Sequence, residues 1–132
     1  MKKVVSKFVL ASLCLLLFST QCEEDIVQYT QEDEEQELAL LKTEIETLAS
    51  ASVCSDTFEC DFIAFGSKPC GGPWSYLVYS TSIDTEKLKT LVEGYNQKEA
   101  IFNTEWGIVS DCAVANPPTS VNCENNTCVA VF

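Results

Sequence analysis

Cysteine sets the chemistry open to this chain, which carries eight cysteines and no histidine. Cys14 lies in an N-terminal apolar run and Cys22 just after it. The other six are Cys54, Cys60, Cys70, Cys112, Cys123 and Cys128. Without histidine, no Ser-His or Cys-His nucleophile can be built, and the commonest general base and metal ligand is missing. No C-x-x-C pair occurs either, so the spacing of a structural zinc site is lacking. We therefore expect no metal and no cofactor. An even set of cysteines in a small exported domain reads as disulfides, here three.

Six cysteines allow fifteen pairings, and spacing alone does not choose among them. One pair follows from local geometry. In Cys123-Glu124-Asn125-Asn126-Thr127-Cys128 the two asparagines suit a two-residue hairpin turn, because Asn tolerates positive φ. Cys123 and Cys128 would then face each other at a non-hydrogen-bonded position, where opposite strands approach closely. The expected set is Cys123–Cys128, Cys70–Cys112 and, by elimination, Cys54–Cys60. The rival set pairs the first strand's cysteines with those of the last hairpin.

The stretch FGSKPCGGPWSY, residues 65–76, is the second place where chemistry could reside. Lys68, Pro69, Gly71, Gly72, Pro73 and Trp74 form a candidate recognition loop, fixed by Cys70 and stiffened by two prolines. Small disulfide scaffolds that inhibit proteases display such a loop, often with a basic residue, and a pre-organised loop loses little entropy on binding. The plainer reading is a tight turn that needs its glycines, with Trp74 and Tyr76 in the core. The glycine spacing is not that of a phosphate loop. Ser67 and Lys68 are adjacent, so their side chains diverge in extended chain and form no dyad. Asp56, Glu59 and Asp61 gather near the first strand without calcium-loop spacing, and read as a solvated edge that discourages aggregation. Asp111 beside Cys112 reads as a turn or cap residue. We assign no catalytic residue and expect no enzyme. A hydrolase working through carboxylates alone is the remaining catalytic reading.

The elements that must position these residues can be traced along the chain. Thr30-Gln31-Glu32-Asp33 is a helix start, with a capping Thr and acid in the first turn. Leu38, Leu41, Ile45 and Leu48 then repeat at helical spacing, in a stripe about two heptads long and too short to define a coiled coil. Asp61–Gly66 and Trp74–Thr81 read as strands. Asp84 caps a helix expected from Thr85 to about Thr104, with apolar positions at Leu88, Leu91, Val92, Tyr95 and Phe102, and Gly107 as its stop. Ile108–Ala115, Val121–Cys123 and Cys128–Phe132 read as further strands. The expected fold class is α+β, one helix packed on a small antiparallel sheet and stabilised by disulfides.

Residues 1–21, MKKVVSKFVLASLCLLLFSTQ, place three lysines before an apolar run from Phe8 to Phe18. That length suits the core of an export signal and falls short of a spanning helix. Ser19-Thr20-Gln21-Cys22, at the end of the run, resembles the lipobox of bacterial lipoproteins, although Ser19 and Gln21 stand where that family prefers Leu and a small residue. The resemblance implies cleavage before Cys22 and acyl chains, palmitate among them, on that cysteine. Two or more chains hold a protein firmly to a membrane, where one does so only marginally. Glu23-Glu24-Asp25 resembles the acidic segment that, in some Gram-negative groups, sends lipoproteins to the cell exterior. Residues 22–51 are then an acidic tether with a short amphipathic helix, resting on the domain or partly ordered as a stalk, and 52–132 the domain. FGSKPCGGPWSYLVYS, a helix, SDC and a C-terminal cysteine pair together resemble a small exported cysteine-containing domain of bacteria, a resemblance that brings no activity with it.

Net charge is −12, and after loss of 1–21 five lysines face twenty acids, a net −15. Such a surface repels nucleic acid, which is set aside as a partner. The expected protein is a membrane-anchored lipoprotein of the outer membrane, exposed at the cell surface, with a small binding or structural domain and a protein partner at the envelope. The alternative is a protease inhibitor presenting Lys68.

Overall fold

The computed structural model describes residues 29–132, so Cys14, Cys22 and the Ser19–Cys22 segment lie outside the described residues. The elements are α1 (Gln31–Ser50), β1 (Cys60–Phe65), β2 (Ser75–Ser80), α2 (Thr85–Glu105), β3 (Ser120–Glu124) and β4 (Thr127–Val131). Both helices start where the sequence directs. Thr30 Oγ1 accepts from the Asp33 N–H at 3.3 Å, and the Asp33 carboxylate accepts from the Thr30 N–H at 3.0 Å. The Thr30 hydroxyl also donates to the Asp33 carboxylate at 2.7 Å, and this bond first, then the one from the Thr30 N–H, hold the Asp33 carboxyl below its ordinary value. Asp84 accepts from the Lys87 N–H at 2.9 Å to begin α2. Gly107, at φ +60°, follows its end.

The core lies where the two helices meet the β1–β2 hairpin. Ile45 and Ala49 come from α1, Phe65 from β1, Tyr79 from β2, and Leu88, Val92 and Tyr95 from α2. Leu38, Leu41 and Leu48, the rest of the expected stripe, pack against this cluster. Burying a side chain the size of Ile or Leu is worth about 1.5–3 kcal/mol, so α1 is a structural part of the domain. The expected boundary at residue 52 thus separates in sequence what is packed together in space. The fold is α+β with two helices on the core where one had been expected.

The strands form two separate antiparallel pairs, β1–β2 and β3–β4. In the first, Cys60 lies opposite Ser80 and Phe65 opposite Ser75. In the second, Cys123 lies opposite Cys128, and Asn125 and Asn126 make the turn at φ 51° and 64°. That is the hairpin the asparagines predicted. It supplies no residue to the core cluster, and most of its side chains are exposed.

The expected strand over Ile108–Ala115 is absent; residues 108–118 run as irregular chain. Pro117 and Pro118 cannot donate to a ladder, and the Ala113 carbonyl accepts from the Lys68 ammonium instead.

The bridges follow the rival set, with Cys54 and Cys60 bonded to the cysteines of the last hairpin. Cys70–Cys112 forms as expected. Cys123–Cys128 and Cys54–Cys60 do not form; the bonds are Cys54–Cys123 and Cys60–Cys128. Directly opposite residues share one face of a hairpin, and Cys54 and Cys60 both lie against that face. Cys54 donates its N–H to the Asn126 carbonyl at 3.1 Å. Local strand geometry permitted the expected bond, and this tertiary placement gave each sulfur a different partner.

Candidate functional site

The loop between β1 and β2 is held from three sides. From below, α2 presents Asn96, Glu99 and Asn103, spaced so that all three lie on one helix face. Asn96 accepts from the Gly66 N–H at 2.7 Å through Oδ1, and donates to the Ala64 carbonyl at 3.1 Å through Nδ2. Glu99 accepts from the Ser67 N–H at 2.5 Å, and Asn103 donates to the Ser67 carbonyl at 2.7 Å. These side chains bond the backbone of 64–67 much as a neighbouring strand would. Gly66 must be glycine here: its φ is +82°, and a Cβ would stand 2.6 Å from Trp74 Cδ1.

Within the loop, Lys68 and Gly72 close a tight turn. The Lys68 N–H donates to the Gly72 carbonyl at 2.8 Å, and the Gly71 N–H to the Lys68 carbonyl at 2.9 Å. Gly71 and Gly72 both have positive φ and open space around them, and both are exposed at the tip.

From the side, the segment after α2 clasps the loop. Cys70 is bonded to Cys112. The Lys68 ammonium pairs with Asp111 at 3.4 Å, donates to the Ala113 carbonyl at 2.5 Å and lies 4.9 Å from the centre of the Trp74 ring. Its side chain is only 9% exposed. Lys68 therefore points inward, as a clasp. The outward residues are Gly71, Gly72 and the 41%-exposed Trp74, with Pro69 and Pro73 half-buried. Val109 and Val114 on the clasping segment are more exposed still. A hollow of 320 Å³ opens between the loop and the end of α2, lined by Ser67, Lys68, Pro69, Asn103, Thr104 and Ile108.

The sequence pointed to the loop and to its bridge Cys70–Cys112, but not to the α2 side chains that hold its backbone. Asn96, Glu99 and Asn103 interrupt the apolar stripe of α2, and that interruption was their signal: polar groups on a core-facing side need partners. Glu99 also accepts from the Tyr95 hydroxyl at 3.0 Å. Burial first, then the Glu99 charge and this bond, push the Tyr95 hydroxyl above its ordinary value.

The other candidates are placed elsewhere. Asp56 and Glu59 are exposed around the turn before β1. Asp61 accepts from the Tyr79 hydroxyl at 3.0 Å and from the Phe62 N–H at 2.8 Å. The sulfurs of Cys54, Cys60 and Cys128 all lie within 4.8 Å of one another. They are bonded in disulfides, so none is the thiolate that ligates metal. No protein-family model matches the chain, and neither a curated protein nor a solved structure matches it significantly.

Proposed function

We propose that this chain is an exported, lipid-anchored binding protein of the bacterial envelope, which recognises a protein partner through the outer rim of loop 65–76. The observation that carries this reading is how thoroughly the loop is fixed. A disulfide, three side chains of α2 and the inward Lys68 hold a tip whose Gly71 and Gly72 are exposed and face open space. A loop fixed before binding loses little entropy in the complex, and an exposed Trp beside it is a typical anchor for a protein partner.

Three disulfides support an oxidising compartment, and Cys22, at the end of an export-type apolar run, supports the anchor. Inhibition of a protease through Lys68 gains nothing from this arrangement, because its ammonium is already engaged inside the clasp.

The test is a pull-down from envelope and secreted proteins with the lipid-free chain and its Trp74→Ala variant. A partner retained by the parent and lost by a variant of unchanged stability supports the reading. Capture that is equal for both would end it. The address is tested separately: Cys22→Ser should move the protein from the membrane to the soluble fraction.

A further inference from the structure

The four cysteines that attach the β3–β4 hairpin are placed for exchange as well as for bonding. Three of their sulfurs, on Cys54, Cys60 and Cys128, lie within 4.8 Å of one another. The fourth, on Cys123, is bonded to Cys54 and belongs to the residue directly opposite Cys128 in the hairpin register. The chain between Cys54 and Cys60 already turns back on itself, since Ser55 and Phe58 exchange both backbone hydrogen bonds. The sulfurs needed for the second possible set, Cys54–Cys60 with Cys123–Cys128, therefore lie close together, and only Cys54 among the four is fully buried.

We propose that these four cysteines form a thiol-exchange site, at which a small external thiolate converts the two long-range bridges into two local ones and frees the hairpin. Cys123 is exposed, whereas Cys54 is buried, so attack begins at Cys123. The incoming thiolate bonds to Cys123 Sγ, the Cys54–Cys123 bond breaks, and Cys54 leaves as a thiolate. Cys54 attacks the neighbouring Cys60 Sγ, forming Cys54–Cys60 and expelling the Cys128 thiolate. Cys128 then attacks Cys123 Sγ across the hairpin, forming Cys123–Cys128 and returning the external thiolate. Each step makes one S–S bond and breaks one, so there is no net oxidation and the thiol is a catalyst.

The consequence follows from where the core lies. No residue of β3 or β4 belongs to the core cluster, while α1, β1, β2 and α2 all contribute to it. The two bridges span 69 and 68 residues of sequence. Once both are local, the hairpin is joined to the domain through residues 113–119, the Cys54 N–H bond to the Asn126 carbonyl and its contacts with β1 and β2. Cys70–Cys112 takes no part, because it closes the loop clasp on other elements.

The test incubates the full chain with a low concentration of glutathione in a closed, oxygen-free vessel, quenches by alkylation and maps the bridges without reduction. Linked peptides Cys54–Cys60 and Cys123–Cys128 should appear in step, with Cys70–Cys112 retained. Amide exchange in residues 119–131 should quicken roughly tenfold or more in that isomer, with α2 unchanged. A Cys70→Ala/Cys112→Ala variant should exchange the same way. The proposal is overturned if neither new bridge forms, if one forms without the other, or if Cys70 and Cys112 enter new pairs at the same rate. It is equally overturned if the new isomer keeps its hairpin amides protected.

Discussion

Lys68 is engaged inside the clasp of the loop, and what surrounds it decides what its loss would do. Asp111 is largely exposed, so removing the ammonium strands no buried carboxylate. It does remove the bond to the Ala113 carbonyl and the packing beside the Trp74 ring. Lys68→Ala should therefore lower stability by about 1–2 kcal/mol, and Lys68→Met, which keeps the stem, by less; urea unfolding distinguishes them. Gly66→Ala should cost more, about 2–3 kcal/mol, because it adds strain at φ +82° to a clash with the Trp74 ring. Two tyrosines give the molecule an alkaline limit. Burial pushes the Tyr79 hydroxyl up to about 12, with the bond to Asp61 and the charges of Asp61 and Glu86 adding to it. Tyr95 moves the same way. A tyrosine in the unfolded chain ionises near pH 10. Above that, the unfolded state releases protons that the folded state keeps. The stability tied to Tyr79 is thus whole below about pH 10 and drains away as pH rises to about 12. Tyr79→Phe should flatten that decline in urea midpoints measured across the alkaline range.

At the scale of elements, α1 offers the sharpest test. Its stripe of Leu38, Leu41, Ile45 and Leu48 was legible, and so were the caps at Thr30 and Asp84, because these signals are local. Whether the stripe rested on the domain or stood free was not, since a helix's partner is set by chain far away in sequence. Ile45 is fully buried in the common core. Ile45→Ala should cost about 2–5 kcal/mol, and a chain begun at residue 52 should lose cooperative thermal unfolding. A full chain insensitive to Ile45→Ala would mean that α1 stands off the domain. The strand expected over 108–115 failed for a related reason. Its residue types suited a strand, but it pairs with neither hairpin, and its carbonyl at Ala113 is taken by a lysine 45 residues earlier. The hairpin turn at Asn125-Asn126 was legible for its backbone and misleading for its cysteines. Opposite placement made Cys123–Cys128 possible, and only the folded position of Cys54 and Cys60 decided otherwise.

At the scale of the whole molecule, the helices and the β1–β2 hairpin hold the core, while the C-terminal hairpin lies outside it and is attached by two bridges and by contacts with β1 and β2. Removing one of them as Cys60→Ala/Cys128→Ala should cost about 2–4 kcal/mol in thermal or urea unfolding, a large share of what a small domain has. Strong acidity, net −12 over the chain, keeps such a surface away from nucleic acid and anionic lipid. The membrane anchor proposed above therefore rests on covalent acyl chains at Cys22, after the segment that resembles a lipobox. One measurement tests this account most directly: the intact mass of the protein purified from the membranes of bacteria that export it. The account predicts a chain beginning at Cys22, heavier by its acyl chains and lighter by two hydrogens for each of three bridges. A soluble chain whose Cys22 is a free thiol, or one that keeps residues 1–21, would contradict it.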